Sequence, residues 1–356
     1  MAITYLAGRR IQGTQADFGD NGAGIPAVSG GWVELGRTTL GSAGDTISVS
    51  SLPDKKYYMI LKNVFGSGLC TDRFTFNSDT GSNYAWRKSA NGASDSTAVN
   101  QVRQITHTNA DLDNAFFVGY VSNLANKEKL HINHATIATT TGASTAPIRD
   151  ETVSKWSNTS DAISTMTMTN DQSGDYNTGS EMIVLGWDPA DTHTTNFWEE
   201  LASVDLSGGD ASSLSTSTIT AKKYLWVQFF VEVGTTNDDV YVRFNSDTGS
   251  NYSWRRSIDG GSDSTNTSNT SIDPEGSLQT SQPMFANMFI INNSGNEKLV
   301  IGNTTRSNTA GAGNAPTRRE WAAKWANTSN AITEVSLTAQ SGNLKSKTIM
   351  KVWGSD

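Results

Sequence analysis

The chain is short of several things at once. Among its 356 residues one is cysteine, Cys70, and four are histidine. A single cysteine cannot form a disulfide within the chain, and no zinc site can be built on thiolates. Cys70 is expected as a small buried apolar residue. Charged residues make up 17% and hydrophobic residues 36% of the chain, both low for a globular protein. Lys and Arg do not cluster, and the formal net charge is −8. That balance argues against nucleic acid as a partner, because phosphates attract Lys and Arg. No apolar run approaches the roughly 20 residues that a membrane-spanning helix needs, so no membrane partner is expected. Met1 to Arg10 lacks the basic region followed by an apolar stretch that marks a secretory signal. Synthesis in a cytoplasm without a cleaved leader is therefore expected. Serine nucleophile elbow, phosphate loop, HExxH and dinucleotide fingerprint are all missing, and no cofactor is expected.

What fills the gap is Ser, Thr, Asn and Gly, a mixture that suits short strands joined by turns. One stretch, Phe-Asn-Ser-Asp-Thr-Gly-Ser-Asn-Tyr, occurs at Phe76–Tyr84 and again at Phe244–Tyr252. The duplication extends well beyond it. Trp32-Val33-Glu34-Leu35 returns as Trp198-Glu199-Glu200-Leu201, and Lys55-Lys56-Tyr57 as Lys222-Lys223-Tyr224. Glu128-Lys129-Leu130 answers to Glu297-Lys298-Leu299, and Lys155-Trp156 to Lys324-Trp325. Repeat units of solenoids run to roughly 20–50 residues; this spacing is that of a duplicated domain. The division expected is an arm over 1–30, copy 1 over 31–187, a linker over 188–196 containing Pro189, and copy 2 over 197–356.

Alternation dominates over helical periodicity. Tyr57–Leu61 and Tyr224–Val231 are apolar runs of strand length, while Asp239–Phe244, Leu130–Ile132, Ile163–Met168 and Thr333–Thr338 alternate. The fold class expected is all-β, two tandem β-sandwiches of jelly-roll type with an extended N-terminal arm. One exception is expected per copy. Pro147 to Trp156, and its partner Pro316 to Trp325, place a proline where a helix start favours it. Trp321 and Trp325, four apart, share one helical face, so a short helix or helical loop is expected in each copy.

The repeated stretch sets Asn77, Asp79, Gly81 and Asn83 at alternate positions, with Asn245, Asp247, Gly249 and Asn251 in copy 2. A calcium loop of this kind needs an acidic residue at its twelfth position, and Lys88 and Arg256 stand there. The favoured reading is a tight turn with Asx hydrogen bonds and glycine at positive φ. Arg87 and Arg255 are expected to pair with Asp79 and Asp247 across it. Tyr84 and Trp86, with Tyr252 and Trp254, lie on one strand face; they are expected as core anchors, the alternative being a platform for a glycan. His131 and His134 fall on opposite strand faces, and copy 2 has Val300 and Asn303 there, so no metal site is expected on them. No carboxylate pair is favoured for glycosidase chemistry, and no enzyme is expected. In the arm, Arg9 and Arg10 are candidates to seek carboxylates on a neighbouring subunit or host lattice, the alternative being a tail without contacts.

Sequon-like triplets such as Asn158-Thr159-Ser160, with the Ser/Thr-rich composition, point to a protein adapted to the outside of a cell. Coupled with cytoplasmic synthesis, this fits a virion component released by lysis, or a bacterial or archaeal protein exported without a cleaved signal. The block Arg243–Arg255, and Ile332-Thr333-x-Val335-x-Leu337 after Asn327-Thr328-Ser329, resemble a recurrent β-sandwich domain of tailed-phage and marine viral structural proteins. Tyr176–Gly186 is similar to that family's closing strand, with Leu185-Gly186 in place of its Tyr-Gly and Val352-Trp353-Gly354 ending copy 2. The resemblance covers nearly all of both copies but not the arm, and brings no catalytic residues. It implies a non-enzymatic virion structural protein, foremost a capsid decoration or spike attached by the arm. Its partners would be the major capsid or tail protein and further copies of itself, as a homo-oligomer. The rivals are a carbohydrate-binding or adhesin module that reads a host surface glycan, and a self-assembling extracellular filament or surface-layer subunit.

Overall fold

The computed structural model describes residues 28–29, 31–107, 110–189, 191–193, 195–232, 239–275, 282–307 and 311–356. Among them every regular element is a strand. Copy 1 has an eight-stranded sheet in the order Val33–Thr39, Glu181–Trp187, Tyr57–Cys70, Ala110–Ser122, Lys129–Ala138, Ile148–Trp156, Tyr84–Ala90 and Ser96–Gln101. A four-stranded sheet, Thr46–Val49, Met166–Thr169, Arg73–Phe76 and Gln104–Ile105, covers one face. Copy 2 repeats this order with Glu199–Asp205, Ile349–Ser355, Tyr224–Val231, Met284–Ile291, Lys298–Arg306, Thr317–Trp325, Tyr252–Ile258 and Ser264–Asn269. Its small sheet has three strands, Ser213–Ser215, Val335–Ala339 and Val240–Phe244. A single bridge, Val242 to Ile272, stands where copy 1 has its fourth strand. The chain is therefore two tandem β-sandwiches of one topology.

The helix expected in each copy is instead a central strand of the large sheet, Ile148–Trp156 in copy 1 and Thr317–Trp325 in copy 2. Positions four apart share a face in a strand as well as in a helix, because four is a multiple of two. In copy 1 the inward residues of that strand are Asp150, Thr152, Ser154 and Trp156, all buried, so polar side chains occupy core positions and mask the alternation. Of the segment expected as an arm, Val28–Ser29 lie among the described residues, and they pair with Thr192–His193 of the linker.

Both faces of each large sheet are buried over part of their area, which is why its central strands read as unbroken apolar runs. Tyr58, Ile60 and Val64 point into the copy 1 core, with Phe117 and Val184. Their chain neighbours Met59 and Leu61 point the other way, with Phe116, Val118 and Ile183, into a seam against copy 2. Copy 2 contributes Tyr224, Phe289, Ile291, Leu299 and Ile301, and Phe116 and Tyr224 meet at 6.2 Å between ring centroids. The result is four stacked layers, small sheet, large sheet, large sheet, small sheet.

Polar latches rim the seam. Arg149 pairs with Asp263 at 2.7 Å, and Arg255 Nε donates to the Pro147 carbonyl at 2.9 Å. Glu181 accepts from Lys223 Nζ at 2.9 Å and from the Tyr224 hydroxyl at 2.7 Å. Lys324 Nζ donates to the Thr140 carbonyl at 2.7 Å, while the Gly142 N–H donates to Glu297. Ile183 is fully buried in this seam, so Ile183→Ala is expected to lower stability by about 2–5 kcal/mol. Leu130→Ala, on the exposed part of the same sheet face, should change it by no more than about 0.5 kcal/mol. Chemical denaturation of the two variants checks the contrast.

Candidate functional site

The repeated turn is built the same way twice. Asp79 Oδ1 accepts the Gly81 N–H at 2.8 Å, and its Oδ2 accepts Asn83 Nδ2 at 2.8 Å and Trp156 Nε1 at 2.6 Å. Asp247 does the same with Gly249, Asn251 and Trp325. Burial alone would raise the Asp79 pKa, but the bonds from Trp156, Asn83 and Gly81 outweigh it and hold the carboxyl below its ordinary value. The positive φ angles fall at Asn77 and Ser78, at 52° and 55°, and not at Gly81. Gly81 is required for another reason, since a Cβ there would lie 2.7 Å from Asn83 Nδ2. Nor do the arginines pair across the turn as expected. Arg87 binds Asp95 at 3.0 Å, and Arg255 is spent on the seam.

Of the residues proposed as a glycan platform, Tyr84, Tyr252 and Trp254 are buried, and Trp86 is half-buried on the core side of its strand. The Tyr84 hydroxyl accepts the Phe76 N–H at 3.0 Å, and its ring lies 6.4 Å from Trp156 with the planes 15° apart. Tyr252 repeats this with Phe244 and Trp325. Burial drives both phenols well above their ordinary pKa. These rings pin the hairpin to the core and present no platform to solvent. Arg9 and Arg10 lie outside the described residues.

Below the turn the two copies diverge. The copy 1 core carries a polar layer that includes Lys62, Asp72, Gln104, His131, Asn133 and Thr152, all buried. Ladder register puts Phe229, Val240, Ile272, Val300, Gly302 and Trp321 at the matching places of copy 2. Lys62 is paired with Asp72 and donates to Thr106 Oγ1 at 2.9 Å. His131 Nδ1 lies 2.9 Å from Gln104 Oε1. Desolvation, with the Lys62 charge adding to it, pushes the His131 pKa down to about 3. Replacing a buried ion pair by apolar side chains of similar volume is often neutral or stabilising, so either layer can serve a core. All these side chains are buried.

Among the described residues, exposed apolar side chains group on the halves of the two large sheets that lie outside the seam. On copy 1, Leu130, Ile132 and Val153 are 55%, 48% and 48% exposed. Ile132 and Val153 line a shallow depression of ≈ 230 Å³ with Arg87, His134 and Glu151. On copy 2, Phe285 and Ile349 are 42% and 43% exposed. They line a depression of ≈ 90 Å³ with Phe230, Lys351 and Trp353. Each group is an exposed apolar patch on a flat sheet face. Sequence reasoning missed these residues, although the unbroken apolar runs were a signal that both sheet faces are covered.

No family model matches the chain, and no curated protein matches it. Among solved structures, domains LG4-5 of the mouse laminin alpha1 chain align over 91% of this chain and 91% of that one, at 8% identity and a TM-score of 0.17. A score that low carries no argument.

The buried neutral His131 makes stability pH-dependent. Its folded pKa of about 3 lies below the ordinary 6.5, so the unfolded chain binds the extra proton between these values. Its contribution is held above pH 6.5 and lost as pH falls, at about 1.4 kcal/mol per pH unit. His131→Val, the copy 2 residue, is expected to remove one such increment of slope from denaturation curves recorded between pH 6 and 4.

Proposed function

We propose that the chain is a non-enzymatic structural protein of a virus particle, a capsid decoration or spike subunit attached through its N-terminal segment. The observation that carries the reading is that Leu130, Ile132 and Val153 of copy 1 and Phe285 and Ile349 of copy 2 lie exposed on flat sheet halves, where contact area rather than a cleft does the work. Such a subunit acts by many modest contacts summed over a repeating lattice, where effective concentration makes weak interfaces sufficient. Lys62–Asp72, Arg256–Asp273 and Lys324–Glu297 are ion pairs internal to the body, and in this reading they support its shape.

The resemblance of Arg243–Arg255 and Tyr176–Gly186 to viral structural domains supplies the particle. The pairing of Val28–Ser29 with Thr192–His193 ties the end of the N-terminal segment to the linker between the two sandwiches, which supports an attachment role for it. Under this reading the partners are a major capsid or tail protein and further copies of the chain. A surface-layer or filament subunit shares the contact chemistry and differs in where the chain is found. The glycan-reading alternative loses its named rings to the core.

Mass spectrometry of gradient-purified particles tests the proposal. The full chain is expected in particles at a fixed ratio to the capsid protein, and a chain lacking residues 1–27 is expected to fold yet be absent from them. A full-length chain missing from every particle would overturn the virion reading. Incorporation of the truncated chain would overturn the attachment.

A further inference from the structure

The seam joins unlike halves of like sheets, and each half has an uncovered twin. Ladder register fixes the equivalence, since Tyr57 faces Ser122 in copy 1 and Tyr224 faces Ile291 in copy 2. Copy 2 buries the half of its sheet that carries Phe289, Leu299 and Ile301; the matching residues of copy 1 are Leu130 and Ile132, exposed on the open face, and Tyr120, which packs at its edge against Trp32. Copy 1 buries the opposite half, with Leu61, Phe116 and Ile183; the matching residues of copy 2 are Gln228, Phe285 and Lys351, beside exposed Ile349. Each molecule therefore ends in two surfaces that are homologous to the two sides of its own internal interface.

The rim repeats the pattern. Asp263, which pairs with Arg149 across the seam, corresponds to Asp95, and Arg149 corresponds to Arg318. Both counterparts are exposed, with side chains 46% and 63% accessible. Arg255, which donates to the Pro147 carbonyl, corresponds to Arg87, and Pro147 to Pro316, which is exposed. Glu297, which accepts the Gly142 N–H, corresponds to Glu128, and Gly142 to Gly311, also exposed.

We propose that the open half-face of copy 1 in one chain docks on the open half-face of copy 2 in a second chain, repeating the internal seam between molecules. Arg318 of one chain then meets Asp95 of the next, and Leu130 and Ile132 pack beside Phe285. The two surfaces differ, so the contact is heterologous: it does not saturate at a dimer, and it propagates to a ring if the rotation closes or a filament if it does not. One internal latch has no twin, because Ile349 stands where Glu181 takes Lys223 and Tyr224. Gln228 and Lys351 also make the intermolecular face more polar than the internal one. The association is therefore weaker than the seam and depends on concentration. It does not rest on the virion reading, since it requires only the chain itself.

Sedimentation velocity of the purified full-length chain over a concentration series tests this. The wild type is expected to grow past the dimer, while Ile132→Asp and Phe285→Asp, both at exposed sites, are each expected to stay monomeric with unchanged melting. An equimolar mixture of the two variants retains one sound surface on each partner and is expected to form a dimer and nothing larger. Asp95→Arg should weaken association at least 10-fold, and adding Arg318→Asp in the same chain should restore it. A wild type that is monomeric throughout, assemblies that survive either apolar-to-Asp change, or a mixture that stays monomeric would overturn the proposal.

Discussion

Burial of the second face of each large sheet is the constraint on which the rest of this molecule depends. An isolated sandwich of this topology would hold one face of its eight-stranded sheet against the small sheet and leave the other to water. Here that second face carries Met59, Leu61, Phe116 and Ile183 in one copy and Tyr224, Phe289 and Ile301 in the other. Removing these side chains from water is the largest favourable contribution available to the pair. The carbonyls, carboxylates and guanidinium groups around them are then placed to satisfy one another at the rim. Tandem duplication supplies the two faces in one chain, so neither has to wait for a partner to be met by diffusion.

Duplication also relaxed the demands on each core. Copy 1 spends inward positions on Lys62, Asp72, His131 and Asn133, and copy 2 fills the same places with Phe229, Val240, Val300 and the Trp321 ring lying over Gly302. The turn at Phe76–Tyr84 did not drift in the same way. Its aspartate holds two backbone-proximal donors and a tryptophan indole at once, so any change at Asp79, Gly81, Asn83 or Trp156 unsatisfies several groups together. Strong sequence identity in the turn and divergence beneath it follow from that difference in coupling.

The duplication and the all-β class were legible because the turn and the apolar strand runs carry local signals. The strand Ile148–Trp156 was not, since Asp150, Thr152 and Ser154 occupy core positions where alternation reasoning expects apolar residues, and Trp321 and Trp325 sit at a spacing common to helix and strand. The repeated aromatics were legible as core anchors, because large rings at strand spacing bury most area when they face inward, and Tyr84, Tyr252 and Trp254 are buried. The open surfaces were the least legible. Leu130 and Leu299 are the same residue in the same register, and only the offset stacking of the two sheets exposes one and buries the other.

The central claim is that the seam makes the two sandwiches one cooperative body. Amide hydrogen exchange of the native chain tests it most directly, by comparing the slowest amides of Ala110–Ser122 in copy 1 with those of Met284–Ile291 in copy 2. Strands that open only with the whole molecule exchange at one common free energy, and the seam predicts that value for both. Two distinct limits, with one copy exchanging fully while the other stays protected, would contradict it.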